Sequence, residues 1–157
     1  MLFRSARLAA SHFSVMTSRA QVLVAGPALV ERALGERRSK EELGGPQVCL
    51  RSGVVDNLVE DEPAACRLIA RFLSYLPTNV DELPPLAEPA DDPERCEEEL
   101  LGLVPRDRRR VFDVRRLLEL VLDRGSLLEL GPSFGRSQVT ALARLAGRSE
   151  EHTSELQ

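Results

Sequence analysis

The segment from Pro77 to Pro93 constrains this chain most. Prolines 77, 84, 85, 89 and 93 fall within it, interleaved with acidic and small residues. A proline fixes φ and lacks a backbone donor, so neither a helix interior nor a central strand can run through such a stretch. It reads as a semi-rigid, partly extended linker over residues 77–95. That divides the chain into a piece before it, residues 6–76, and a piece after it, residues 96–147. The length suits one domain or two partial ones.

Before the linker, Phe13-Ser-Val-Met16 and Gln21-Val-Leu-Val-Ala25 are short β-prone runs. The second is apolar on both alternating faces, which predicts a strand buried on both sides, as in α/β sheets. Gly26-Pro27 opens a helix, because proline at the first helical position lacks only a donor that would be unpaired anyway. Leu29, Val30 and Ala33 form its inner face and Gly35 ends it. Its N-terminus has the character of an oxyanion site, although a plain structural turn is the preferred reading. Ser39 followed by Glu42 has capping-box spacing, and Gly44-Gly45 stops that helix with a positive φ or a close backbone approach. Val48-Cys49-Leu50 then reads as a strand leading into a Ser52-Gly53 turn. Glu60-Asp-Glu-Pro63 starts a helix that runs to about Tyr75. Cys66, Ile69, Phe72, Leu73 and Leu76 recur on it at helical spacing, which makes Cys66 a core residue.

After the linker, Glu97–Leu103 is a short helix ended near Pro105. Arg106-Asp-Arg-Arg-Arg110 is a basic cluster best read as a solvated or ion-paired face. Asp113 caps an amphipathic helix with Val114, Leu117, Leu118 and Val121 on one face, closed by Gly125. Ser126–Leu130 reads as a strand, Gly131–Gly135 as a turn and Gln138–Leu145 as a second strand. Gly147 looks like the turn of a hairpin whose partner strand is missing.

The two ends stand apart. Arg148-Ser-Glu-Glu151 can be written AGA TCG GAA GAG, whose reverse complement CTC TTC CGA TCT encodes Leu-Phe-Arg-Ser, the residues at 2–5. Residues 1–5 and 148–157 therefore read as translated sequencing adapter, to be set apart from the fold like any fusion scar. On that reading the chain is an internal fragment of a longer gene.

Charge and chemistry exclude several classes. The chain holds 21 basic and 25 acidic side chains. Without Arg4, Arg148, Glu150, Glu151 and Glu155 the interior keeps 19 and 22, a net charge near −3. That balance argues against nucleic acid and anionic membranes as partners. No apolar run approaches a membrane span, and no signal peptide is evident, so a cytoplasmic protein is expected. Cys49, Cys66 and Cys96 are odd in number and lack metal-ligand spacing, as expected of free thiols. His12 is the only histidine outside the adapter-like tail, and no catalytic triad, HExxH, P-loop or CxxC pair occurs. The residues taken alone assemble no active site, and no metal is expected.

Several motifs nevertheless fall in a specific order. Phe13-Ser-Val-Met…Val24-Ala-Gly-Pro27 is similar to F-x-x-M…F-V-T-G-P, and Glu41-Glu-Leu-Gly-Gly45…Ser52-Gly53 to E-E-L-G-G…S-G. Phe72-Leu-Ser-Tyr-Leu-Pro77 resembles F-L-S-Y-L-P. Val104-Pro105…Phe112-Asp-Val114…Leu128-Glu129…Phe134-Gly135…Ala143-Arg-Leu145…Gly147 resembles V-P…Y-D-V…F-E…Y-G…A-R-I…G. Together they resemble the carboxyltransferase (beta) subunit of biotin-dependent acyl-CoA carboxylases. The resemblance implies an α/β, crotonase-like fold built on a β-β-α superhelix. Residues 6–76 would then be the end of one domain and residues 96–147 the start of a second. It implies transfer of a carboxyl group from carboxybiotin, carried by a partner domain rather than bound covalently here, to the α-carbon of an acyl-CoA. Paired backbone N–H groups of glycine turns outside this chain would stabilise the enolate and the biotin oxyanion, so the fragment alone is expected to be inactive. Acyl-CoA, a biotin carboxylase or biotin carrier subunit, and further copies in a homo-oligomer are the implied partners. Gly131, Pro132, Phe134 and Gly135 are the implied substrate-side residues. Cys49 replaces a histidine, Leu127-Leu128 an aromatic-containing pair, and Phe134 a tyrosine whose hydroxyl is lost. These departures leave acetyl-, propionyl- and methylcrotonyl-CoA open. Alternatives are the carboxyltransferase-like subunit of a biotin-dependent decarboxylase and a non-catalytic helical interaction module, which would be an isolated bundle.

Overall fold

Parallel pairing of two short strands separated by some forty residues requires a crossover, and the first part of the chain is that crossover. In the computed structural model, which describes residues 2–88, 91–92, 94–107 and 109–155 and side chains within residues 5–149, β1 (Val15–Thr17) pairs in parallel with β2 (Asn57–Val59). Ser14 fixes the register. Its N–H and its Oγ–H each donate to Asp56 Oδ2 at 2.7 Å, and Asp56 N–H donates back to Ser14 Oγ at 3.0 Å. Ser14 is buried, so each of these groups needs such a partner.

Between the strands lie α2 (Pro27–Leu34), α3 (Lys40–Gly44) and α4 (Pro46–Arg51), and α1 (Leu2–Ala9) precedes them. The expected starts of α2 and α3 are present. Gly26 is the N-cap ahead of Pro27 and Gly35 closes α2 at φ 71°. Ser39 and Glu42 complete a reciprocal capping box, and the Ser39 N–H holds the Glu42 carboxyl below its ordinary value. Gly44 meets its backbone through close approach. Its carbonyl accepts from Val22 N–H at 2.9 Å, and a Cβ added there would run into the Val22 carbonyl.

Three expectations for this part are corrected. Val48-Cys49-Leu50 is not a strand but the body of α4, because Gly45-Pro46 starts a helix there. Gln21–Ala25 makes a single bond to Gly44 rather than a ladder, and Val24 is 78% exposed instead of buried. Met16, Cys49 and Val55 form the core, with Leu8, Ala20 and Val22 against it, while α2 buries no residue. Cys66 on α5 (Glu62–Leu73) is exposed rather than core, since that helix buries none of its side chains.

The chain divides into two compact units between Ile69 and Ala70. The proline-rich segment follows this division. In the second unit, α6 (Leu100–Leu103) and α7 (Val114–Val121) precede an antiparallel sheet of β3 (Leu128–Leu130), β4 (Gln138–Leu145) and β5 (Arg148–Glu155), in that order. Asp113 caps α7 by accepting Arg116 N–H at 3.2 Å. Val114, Leu118 and Leu122 pack on Val139 and Ala143 of β4, with Phe112 and Leu127 at the margin. Leu120, not Val121, is the buried residue of the last turn, because the chain leaves helical geometry at Leu122. The hairpin expected to lack its partner strand has one, β5, paired with β4 from Leu145↔Arg148 to Gln138↔Glu155. Of the terminal segments read as adapter, residues 2–5 lie in α1 and residues 148–155 form β5. An isolated helical bundle is excluded by these two sheets.

The close approach at Gly44 gives a direct test. Gly44→Ala is expected to lower the unfolding free energy by about 2–3 kcal/mol in a urea titration. Gly102→Ala, which would place its Cβ in open space, is expected to be neutral or slightly stabilising.

Candidate functional site

Gly131, Pro132, Phe134 and Gly135 form the loop joining β3 to β4. Gly131 and Gly135 adopt φ of 61° and 57°, the left-handed region that favours glycine. Phe134 N–H donates to the Gly131 carbonyl and Gln138 N–H to the Gly135 carbonyl, each at 2.9 Å. The loop thus spends these two donors on itself and does not offer them to an oxyanion. Phe134 is 56% exposed at its tip. At the loop's base, Arg115 of α7 grips the Glu129 carboxylate through Nε and Nη2, at 2.9 and 2.5 Å, a bidentate pair that fixes helix to sheet.

The structure brings the four expected residues into one loop, and a charged cavity lies elsewhere in the second unit. That cavity, of about 550 Å³, is lined by Arg71, Arg95, Arg116 and Arg124 together with Glu97, Glu119 and the Leu120–Leu127 segment. Its arginines act mainly as staples. Arg95 Nη2 donates to the Leu120 and Leu122 carbonyls at 2.9 Å and pairs with Asp91 and Glu97. Arg71 Nη2 donates to the Gly125 and Leu127 carbonyls at 2.8 and 2.9 Å. Arg116 pairs with Glu99 and Glu119, and Arg124 with Glu97. The Arg124 hydrogen bond holds Glu97, and the Arg116 hydrogen bond holds Glu99, below the ordinary carboxylate value. The sequence did not single out this network, because its members come from four separate segments. Among the described residues no group of His, Cys, Asp and Glu is arranged to hold a metal ion. Cys49, at the position where the resemblance leads one to expect histidine, is buried. Its Sγ donates to the Gly44 carbonyl at 3.3 Å, and burial pushes its thiol up.

Crossover strands, a charged interhelical network and a hairpin loop together make a partial crotonase-like α/β fold rather than a complete catalytic domain. The family model described as a carboxyl transferase domain matches residues 5–149, and the chain belongs to that family. It is 37% identical to the propionyl-CoA carboxylase carboxyltransferase subunit of Haloferax mediterranei, over 82% of this chain and 25% of that protein. It is 30% identical to the methylmalonyl-CoA decarboxylase alpha subunit of Veillonella parvula, over 86% and 27%. The crystal structure of transcarboxylase 12S with methylmalonyl-coenzyme A and methylmalonic acid bound superimposes with a TM-score of 0.87 at 32% identity, covering 94% of this chain and 28% of that one. The chain therefore spans about a quarter of the length of the relatives it matches.

The ion-pair network predicts an acid limb. Glu97 and Glu99 have folded values below their unfolded ones, so their contribution is complete above the ordinary carboxylate value of 4.5 and is lost as pH falls below it. Melting temperature is expected to decline through that window at low salt. In Arg116→Gln, which frees Glu99, the decline should be shallower.

Proposed function

We propose that this chain is part of a carboxyltransferase that moves a carboxyl group from carboxybiotin to the α-carbon of an acyl-CoA. The observation that carries the reading is the family match over residues 5–149, together with the superposition on transcarboxylase 12S over 94% of this chain. Bound to a partner carrier domain, carboxybiotin would supply the activated carboxyl group. The residues present do not build a site for it, because the Gly131–Gly135 loop closes on its own carbonyls. No step is assigned to this chain's side chains, and its role is to form scaffold at the junction of two domains, residues 6–76 and 96–147. Residues 1–5 and 148–157 are then adapter-derived, and the parent is a longer cytoplasmic protein assembled as a homo-oligomer with a biotin carboxylase or carrier partner. No helix among the described residues is long and apolar enough to cross a membrane.

A decarboxylase is the second reading, favoured by the similarity to the Veillonella subunit at nearly the same coverage. The two differ in the direction of carboxyl flow.

On the substrate side, Gly131, Pro132, Phe134 and Gly135 are the residues we propose to lie against the acyl-CoA. An aromatic side chain held out at a loop tip by two left-handed glycines is available to pack on a ligand.

The test is to recover the parent gene by long-read sequencing of the source DNA and to assay its product with carboxybiotin and a panel of acyl-CoAs. The parent should carboxylate one of them, and the 157-residue chain alone should show no turnover. A reading frame that truly ends at Gln157 would overturn the proposal. In an active parent, Phe134→Ala is expected to raise KM for acyl-CoA by roughly fivefold with kcat nearly unchanged, the signature of a lost uniform binding contact.

A further inference from the structure

The strand that launches the Phe134 loop, β3, is only three residues long, and Glu129 is its middle residue. In the antiparallel register Glu129 stands opposite Ala141, so the two side chains share a face of the sheet. Val139 and Ala143 lie on that face of β4 and pack against Val114, Leu118 and Leu122 of α7. Glu129 is therefore a carboxylate set beside Val139, Ala141 and Ala143 on the helix-covered side, and 19% of its side chain is exposed. Arg115, in the first turn of α7, meets both of its oxygens through Nε and Nη2. An ion pair withdrawn from water in this way adds little net stability, because desolvation of the two charges offsets their attraction. What it adds is direction. Two parallel N–H···O bonds fix distance and orientation together, which apolar contact does not. Beyond Leu130 the left-handed glycines 131 and 135, with the two bonds that close the loop, carry Phe134 at its tip. The place and angle at which β3 ends against α7 thus set where Phe134 is presented.

We propose, on the reading that this loop faces acyl-CoA, that Arg115 is a positioning residue for substrate binding. It touches no ligand itself and acts through Glu129, holding β3 so that Phe134 meets the ligand in one place.

Two measurements test it. In the 157-residue chain, Arg115→Gln is expected to speed amide hydrogen exchange at Phe134 and Gln138 by about tenfold, the mark of a lost local restraint. The Ala146 and Gly147 amides, held by Asp123, should keep their rates. Loop exchange that is unchanged, or that rises equally at all four amides, overturns the proposal whatever the parent catalyses. In the active parent, assayed with acetyl-, propionyl- and methylcrotonyl-CoA, Arg115→Gln should raise KM by roughly threefold to fivefold with kcat nearly unchanged. In a Phe134→Ala background the same change should add nothing, since the side chain it acts through is gone. Arg115→Met combined with Glu129→Leu separates position from stability: melting temperature should return to that of the unaltered chain while KM stays raised. Arg116→Gln, which removes ion pairs to Glu99 and Glu119 from the same helix, should leave KM unmoved. An unaltered KM in that Arg115/Glu129 double variant, or effects of Arg115→Gln and Phe134→Ala that multiply, would overturn the proposal and leave the loop's substrate-side reading standing. A KM that Phe134→Ala does not move would overturn that reading and the proposal with it.

Discussion

The carboxylate of Asp123 holds the second unit together. Its two oxygens receive the N–H groups of Ala146 and Gly147, and its own N–H donates to the Arg144 carbonyl at 2.9 Å. Those bonds fix a β4–β5 turn in which Ala146 sits at φ 50° and Gly147 at φ 77°. For alanine that conformation is unfavourable by about 1–2 kcal/mol, and a charged acceptor binding two turn amides offsets it. Everything around the turn leans on it. The Gly147 carbonyl accepts Ala87 N–H at 3.0 Å, which anchors the proline-rich segment against the hairpin. Ser126 Oγ accepts Arg144 N–H at 3.1 Å, and the Tyr75 hydroxyl donates to the Ser126 carbonyl. Losing the Asp123 carboxylate would leave two turn amides and a strained alanine without compensation.

Such a clamp cannot be seen in a sequence, because Asp123 reads as one more acidic residue after a helix. What could be read were signals contained in a few consecutive residues. Ser39 with Glu42, Gly26-Pro27 and Asp113 each state where a helix begins, and each helix begins there. Gly45-Pro46 carries the same message as Gly26-Pro27, although the β-branched Val48 and the apolar Leu50 favour a strand. Local cap chemistry prevailed over the propensity of three residues. The errors at Val24, Cys66 and Val121 share another cause. Periodicity identifies an apolar face, yet it does not reveal whether another element covers it. The family was legible because its motifs are spread along the whole chain, whereas the arginine network was not, since its partners lie far apart in sequence.

The departures from the family pattern are absorbed at different physical expense. Cys49 fits a small apolar core with Met16 and Val55, and its only polar demand is met by the Gly44 carbonyl. Replacing a histidine there removes a second nitrogen that would have needed its own partner in a buried place. Leu128 is buried and Leu127 packs at the edge of the α7–β4 core, so both aliphatic replacements remain in apolar surroundings. Phe134 stands in solvent, where losing a hydroxyl leaves no buried group unsatisfied.

The β4–β5 hairpin shows how backbone pairing and burial can part company. β4 alternates as a half-buried strand should, with Val139, Ala141 and Ala143 nearly inaccessible. Its partner, Arg148-Ser-Glu-Glu-His-Thr-Ser-Glu155, contains no apolar residue, although Ser154, His152 and Glu150 stand opposite those three buried positions. Cross-strand apolar contact is the usual source of sheet stability, and β5 has none to offer. Its place beside β4 therefore rests on ladder hydrogen bonds and on the turn that Asp123 enforces. A strand that had evolved for this position would be expected to alternate in phase with β4.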